Sequence, residues 1–85
     1  MPARNFVISK KANKEALKLP LSIQNKINKA FGILKLNPLA GAKLQGELAG
    51  HYKFRIGDYR IVYKFNSKER ILEVVKIEHR QGVYK

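Results

Sequence analysis

The chain has 85 residues, 18 Lys+Arg against six Asp+Glu for a formal net charge of +12, an apolar content of 45%, and no cysteine. This length fits one domain, expected over residues 1–85, and a domain of this size buries only about 60–65% of its unfolded surface. The composition excludes disulfides and thiolate metal sites. No run reaches the roughly 18 apolar residues of a spanning helix, and Phe6-Val7-Ile8 is too short for a secretory core, so the expected compartment is the cytoplasm.

The charge is unevenly spread. Residues 1–46 hold nine bases and one acid, Glu15, whereas residues 47–85 hold nine bases and five acids. Such a field draws in polyanions and speeds association with them. Nucleic acid, an anionic membrane surface and an acidic protein are the candidates, since solubility alone rarely needs a charge so far from zero.

Along the chain, Phe6-Val7-Ile8 reads as a short first strand. Ser9 can cap a helix beginning at Lys10, and Leu19-Pro20 stops it, with Pro20 suited to open the next. Ile23, Ile27, Ala30, Phe31 and Leu34 recur at helical spacing, which predicts an amphipathic helix over 20–36 ended by Asn37-Pro38. Gly32 inside it costs about 1 kcal/mol relative to Ala and suggests a close contact. Leu39 to Gly50 reads as a loop, with a possible short strand at Lys43-Leu44. Asn66 to Glu69 is a polar turn. Arg70 to Ile77 forms a strand apolar on both faces, hence central or covered, and a tail follows it directly. The fold class is α+β: an N-terminal strand, an antiparallel helical hairpin, then a three-stranded antiparallel sheet, in the order β-α-α-β-β-β.

The stretch from Tyr52 to Phe65 carries the most information. Gly57-Asp58 between two alternating runs predicts a hairpin with a type II′ turn. Ile56 then faces Tyr59, Arg55 faces Arg60, Phe54 faces Ile61 and Lys53 faces Val62. Tyr52, Phe54, Ile56, Tyr59, Ile61, Tyr63 and Phe65 share the core face. The other face carries Lys53, Arg55, Arg60 and Lys64, with no acid on either strand. Arg55 opposite Arg60 is a like-charge pair that destabilises a sheet, and an anionic ligand would explain it.

A tail leaving the next strand can bring Arg80 and Tyr84 over the same surface. Guanidinium groups bind phosphate through paired hydrogen bonds, and a tyrosine ring offers a stacking platform for a base. Single-stranded RNA suits that combination. RNA carries its own nucleophile, the 2′-hydroxyl, so cleavage needs a base, stabilisation of the phosphorane and protonation of the leaving oxygen. Cationic side chains can supply the stabilisation without a metal or other cofactor, and crowding by arginines favours the neutral, basic form of a lysine. His51 and His79 are acid–base candidates by residue type, although alternation turns His79 away from Arg80 and favours packing.

Leu44-Gln-Gly-Glu-Leu-Ala-Gly50, Tyr52-Lys-Phe-Arg-Ile-Gly-Asp-Tyr-Arg60-Ile-Val-Tyr63 and His79-Arg80…Val83-Tyr84, in this order, resemble the RelE/ParE toxin superfamily of prokaryotic toxin–antitoxin modules over nearly the whole chain. The resemblance implies an endoribonuclease, an mRNA interferase that cuts mRNA in the ribosomal A site and is neutralised by a cognate antitoxin protein. It implies mRNA and the ribosome with its ribosomal RNA as partners, no membrane partner and a free protein that is mostly monomeric. It places Lys53, Arg55, Arg60, Arg80 and Tyr84 in a catalytic cluster, with Lys64 beside them in RNA binding. Arg55 stands where a relative has a second lysine and is too basic to accept the proton, which leaves Lys53 or a deprotonated Tyr84 as the base. A gyrase-directed toxin, a catalytically silent relative and a plain RNA-binding module are the alternatives.

Overall fold

The computed structural model describes residues 2–44, 46 and 50–79. Seven elements follow one another: β1 (Asn5–Ile8), α1 (Lys10–Leu17), α2 (Leu21–Leu36), β2 (Ala42–Lys43), β3 (His51–Ile56), β4 (Tyr59–Asn66) and β5 (Ile71–His79). The sheet order is β1-β5-β4-β3-β2.

The expected three-stranded antiparallel sheet is present as β3, β4 and β5, and one strand is added at each edge. β1 lies parallel to β5, with Asn5 opposite Ile71 and Ile8 opposite Val74. The chain between these two strands, both helices and then β2 to β4, supplies the long connection that a parallel pair requires. β2 is a two-residue edge strand, one residue earlier than expected, with Ala42 opposite Lys53. β5 lies between β1 and β4 and is central as expected, but it is not apolar on both faces: Glu73, Lys76 and Glu78 share the face that Arg60 and Lys64 occupy on β4.

Both helices cover one face of this sheet. Ala12 of α1 and Ile27, Ala30, Phe31 and Leu34 of α2 meet Ile61, Tyr63, Leu72, Val74 and Ile77, all buried in one cluster. Phe6 joins it through a tilted ring contact with Phe31, centroids 5.0 Å apart. Gly32 points away from this seam. A Cβ built there meets nothing within 4 Å, so the close contact expected at that glycine is absent.

Side chains on α1 complete the edge of β5 that β1 is too short to reach. Ser9 accepts from the Ala12 amide at 3.0 Å, as an N-cap does, and donates its hydroxyl to the Val75 carbonyl at 2.7 Å. Glu15 Oε1 accepts the Ile77 amide at 3.0 Å. Each removes an unpaired strand group that would otherwise be stranded beside the helix.

Tyr63 fixes the segment leading into β2, at the other edge of the sheet. Its side chain is fully buried, donates its hydroxyl to the Pro38 carbonyl at 2.7 Å and accepts from the Gly41 amide at 3.0 Å. Gly41 is required by close approach: an added Cβ would lie 2.6 Å from the Lys53 carbonyl and 2.6 Å from the Tyr63 hydroxyl. Burial holds the Tyr63 phenol above its usual range, the Gly41 bond opposes this and Tyr52 adds to it. Tyr63 therefore stays protonated and structural.

Candidate nucleic-acid interface

The hairpin has the expected register. Ile56 faces Tyr59, Arg55 faces Arg60, Phe54 faces Ile61 and Lys53 faces Val62. Gly57 has φ 57°, and Arg70 is the one described non-glycine residue with positive φ. Asp58 thus turns with negative φ, the pattern of a type II′ turn. Ile61 and Tyr63 are buried, and Tyr52, Phe54, Ile56 and Phe65 pack half-buried against them. Tyr59 is half-buried on the same side and takes an edge-on contact from His79, centroids 4.8 Å apart. His79 is accordingly engaged in packing.

On the other face Lys53, Arg55, Arg60 and Lys64 stand together on β3 and β4, as the alternation requires. Arg55 is exposed and Lys53 and Arg60 are half-buried. His51 is on this face too, opposite Lys64, and its buried Nδ1 has no hydrogen-bond partner. Val62 also faces this way and is fully buried, with Lys53 and Lys76 as its cross-strand neighbours. Long basic side chains flank apolar surface in this manner with their stems while the charged ends stay in water.

The third strand changes the electrostatics. The ladder between β4 and β5 shifts register at Val62/Tyr63: Val62 pairs with Lys76, whereas Tyr63 pairs with Val74. Val75 is the extra residue of a β-bulge, which reverses the facing of everything after it. Leu72 and Val74 are buried before the bulge and Ile77 after it. Lys76 and Glu78 consequently join the face of Arg60. Glu78 Oε2 lies 2.6 Å from Arg60 Nε, Glu78 Oε1 lies 2.8 Å from Lys76 Nζ, and Glu73 Oε1 lies 3.6 Å from Lys64 Nζ. The expectation of a face free of acids holds for the two hairpin strands and fails for the sheet. The like-charge pair Arg55–Arg60 is offset by a carboxylate directly across from Arg60.

Burial pushes the Glu78 carboxyl upward, but hydrogen bonds from Lys76 and Arg60, with their charges, outweigh it and hold the group below its usual range. A carboxyl whose folded pKa is depressed stabilises the fold above its unfolded pKa, and that contribution is lost as pH falls through the folded value. The difference in urea midpoint between the wild type and Glu78→Gln is therefore expected to hold from neutral pH down to the ordinary carboxylate range and to shrink as pH falls below it. A difference unchanged at acid pH would exclude an ionised Glu78 as its source.

Four of the six expected site residues, Lys53, Arg55, Arg60 and Lys64, come together on this face. Arg80 and Tyr84 lie outside the described residues. Lys76 and Glu78 were missed, although the sequence carries their signal: apolar positions move from 72 and 74 to 75 and 77, and such a break in period two marks a bulge. A depression of about 420 Å³ lies toward the far end of β4, lined by Gly50, Lys64, Phe65, Asn66, Ile71 and Glu73. Lys53, Arg55 and Arg60 stand outside it, on the open sheet. An open cationic face suits a strand of nucleic acid better than a small enclosed ligand. Among the described residues no cluster of three or more His, Asp or Glu could hold a metal ion, and no helix is long and apolar enough to cross a membrane.

Comparison with known proteins locates this architecture. The family described as ParE toxin of type II toxin-antitoxin system, parDE, matches residues 6–84. RelE1 of Methanocaldococcus jannaschii is 34% identical over 85 residues, covering 95% of this chain and 94% of its own. The toxin RelG of Mycobacterium tuberculosis is 35% identical over 57 residues, 66% of either chain. A chain in the crystal structure of the toxin–antitoxin complex RelBE2 from Mycobacterium tuberculosis superposes with a TM-score of 0.85 at 30% identity, covering 94% of this chain and 93% of that one.

Proposed function

The chain belongs to the ParE toxin family of type II toxin–antitoxin systems and is RelE-like in fold, and we propose that it is a ribosome-dependent endoribonuclease that cleaves mRNA in the A site. The observation that carries this reading is the cationic row Lys53, Arg55 and Arg60 on a rigid hairpin, with two arginines in direct cross-strand opposition. Opposed guanidinium groups suit a phosphodiester whose charge grows as it passes to a phosphorane.

In the proposed reaction the 2′-hydroxyl attacks the adjacent phosphorus. Its proton passes to the neutral amine of Lys53 or to a deprotonated Tyr84, the P–O5′ bond breaks, and the leaving 5′-oxygen takes a proton from water. The products are a 2′,3′-cyclic phosphate and a 5′-hydroxyl. Arg55, Arg60 and Arg80 hold the phosphate and its developing charge, and Lys64 contacts the flanking backbone. The proposed partners are mRNA, the ribosome and, as for the RelBE2 complex, a cognate antitoxin. The proposed site of action is the cytoplasm, where ribosomes are.

The test is cleavage by purified protein of an mRNA placed in the ribosomal A site, with and without a 2′-deoxynucleotide at the 5′ side of the scissile phosphate. Cleavage of the ribonucleotide alone supports the mechanism, and cleavage of both removes it. The matching family's ParE description favours a second reading, a gyrase-directed toxin. DNA-damage signalling on induction, with mRNA left intact, would reverse the ranking.

A further inference from the structure

We propose that Glu78 is a positioning residue for Arg60, fixing its guanidinium for phosphate binding; this rests on the reading of the face as a ribonuclease site. The bulge at Val75 brings the carboxylate onto the basic face, directly opposite Arg60 in the register. There it divides its oxygens between two cations, Oε2 to Arg60 Nε at 2.6 Å and Oε1 to Lys76 Nζ at 2.8 Å. The Arg60 and Glu78 side chains are each 21% exposed, whereas Arg55 across the hairpin is exposed.

A guanidinium offers five N–H donors in a planar fork. With Nε held by Glu78, the Nη groups remain for a phosphate. Without that acceptor, repulsion from Arg55 would drive a long, flexible side chain into solvent and spread it over many rotamers. Binding groups help a reaction most when they are already in place. Glu78 also opposes RNA electrostatically, so a surface built for affinity alone gains nothing from it. An ordered Arg60 is what the face gains in return. Lys76 holds the second oxygen, which keeps the carboxylate turned toward the row.

The test compares wild type, Glu78→Ala and Glu78→Gln in three measurements: single-turnover cleavage of ribosome-bound mRNA, affinity for a single-stranded RNA oligonucleotide, and the nuclear magnetic resonance signal of Arg60 Nε–H. Glu78→Ala is expected to lower the maximal rate at least about tenfold, with RNA affinity unchanged or tighter. Glu78→Gln, whose amide oxygen still accepts from Nε, restores the rate to within about threefold of wild type. The Nε–H signal stays sharp in wild type and Glu78→Gln and broadens through solvent exchange in Glu78→Ala. A wild-type rate in Glu78→Ala overturns the proposal. So does a Glu78→Gln rate as low as that of Glu78→Ala, which would make the charge of Glu78, not its placement of Arg60, the active ingredient. If the wild type cleaves nothing, the ribonuclease reading fails separately, and the resonance still decides: the same signal in all three proteins removes the positioning role.

Discussion

Replacing Arg60 with alanine is expected to lower the rate of A-site mRNA cleavage by about 10²–10³-fold, the scale for removing one donor aimed at transition-state charge. Arg60 is the best-placed cation on the face. It stands in the middle strand of the β3–β4–β5 unit, with Arg55 on one side and Glu78 on the other. A lysine at this position keeps the charge but loses the planar fork, so Arg60→Lys should fall between alanine and wild type. Folding should change little in Arg60→Ala. The lost bond to Glu78 is offset by relief of the repulsion from Arg55, and Glu78 keeps its ion pair with Lys76. The measurement is a map of mRNA 5′ ends after induction of each protein, with thermal melts as the folding control. Equal cleavage by wild type and a folded Arg60→Ala would end the assignment.

The largest effect on stability is expected at the opposite face. Leu34 is fully buried, in the seam where α2 meets the sheet beside Phe31 and Ile27. Leu34→Ala removes the buried methyl groups and leaves a cavity, which destabilises by about 2–5 kcal/mol. In a domain of this length each kcal/mol moves the midpoint by about 4–8 °C, so the melt should fall by roughly 8–40 °C. Ile33, one residue earlier, is 50% exposed, and Ile33→Ala should shift the melt by only a small part of that. Circular dichroism melts of the two variants check both statements. Similar shifts for Leu34 and Ile33 would contradict the assignment of the buried helix face.

These two residues show why some of the molecule was legible in its sequence. The helix face of Leu34 follows from apolar residues recurring every three or four positions. The opposition of Arg55 and Arg60 follows from a two-residue turn between strands of period two. Both are local rules acting over a few residues. The boundaries of β2 and β5 shifted by one or two residues because they are set by pairing partners far away in the chain. Arg80 and Tyr84 keep the standing that the family resemblance gave them.

By itself, then, the sequence determined the α+β class, the order of elements, the hairpin register and the cationic row on its outer face. Each of these depends on periodicity, turn chemistry or charge count, which neighbouring residues set between them. Tertiary structure alone decided which strand lies beside the hairpin and which of its side chains meet Arg60 and Lys64. The bulge at Val75 exchanges the faces of Lys76, Ile77 and Glu78, so that a carboxylate 18 positions away in the chain sits 2.6 Å from Arg60. A one-residue shift in a ladder moves every following side chain to the other face. The apolar pattern of β5 marks the break, but which carboxylate then meets which arginine depends on the pairing of β5 with β4, a contact between segments distant in the chain.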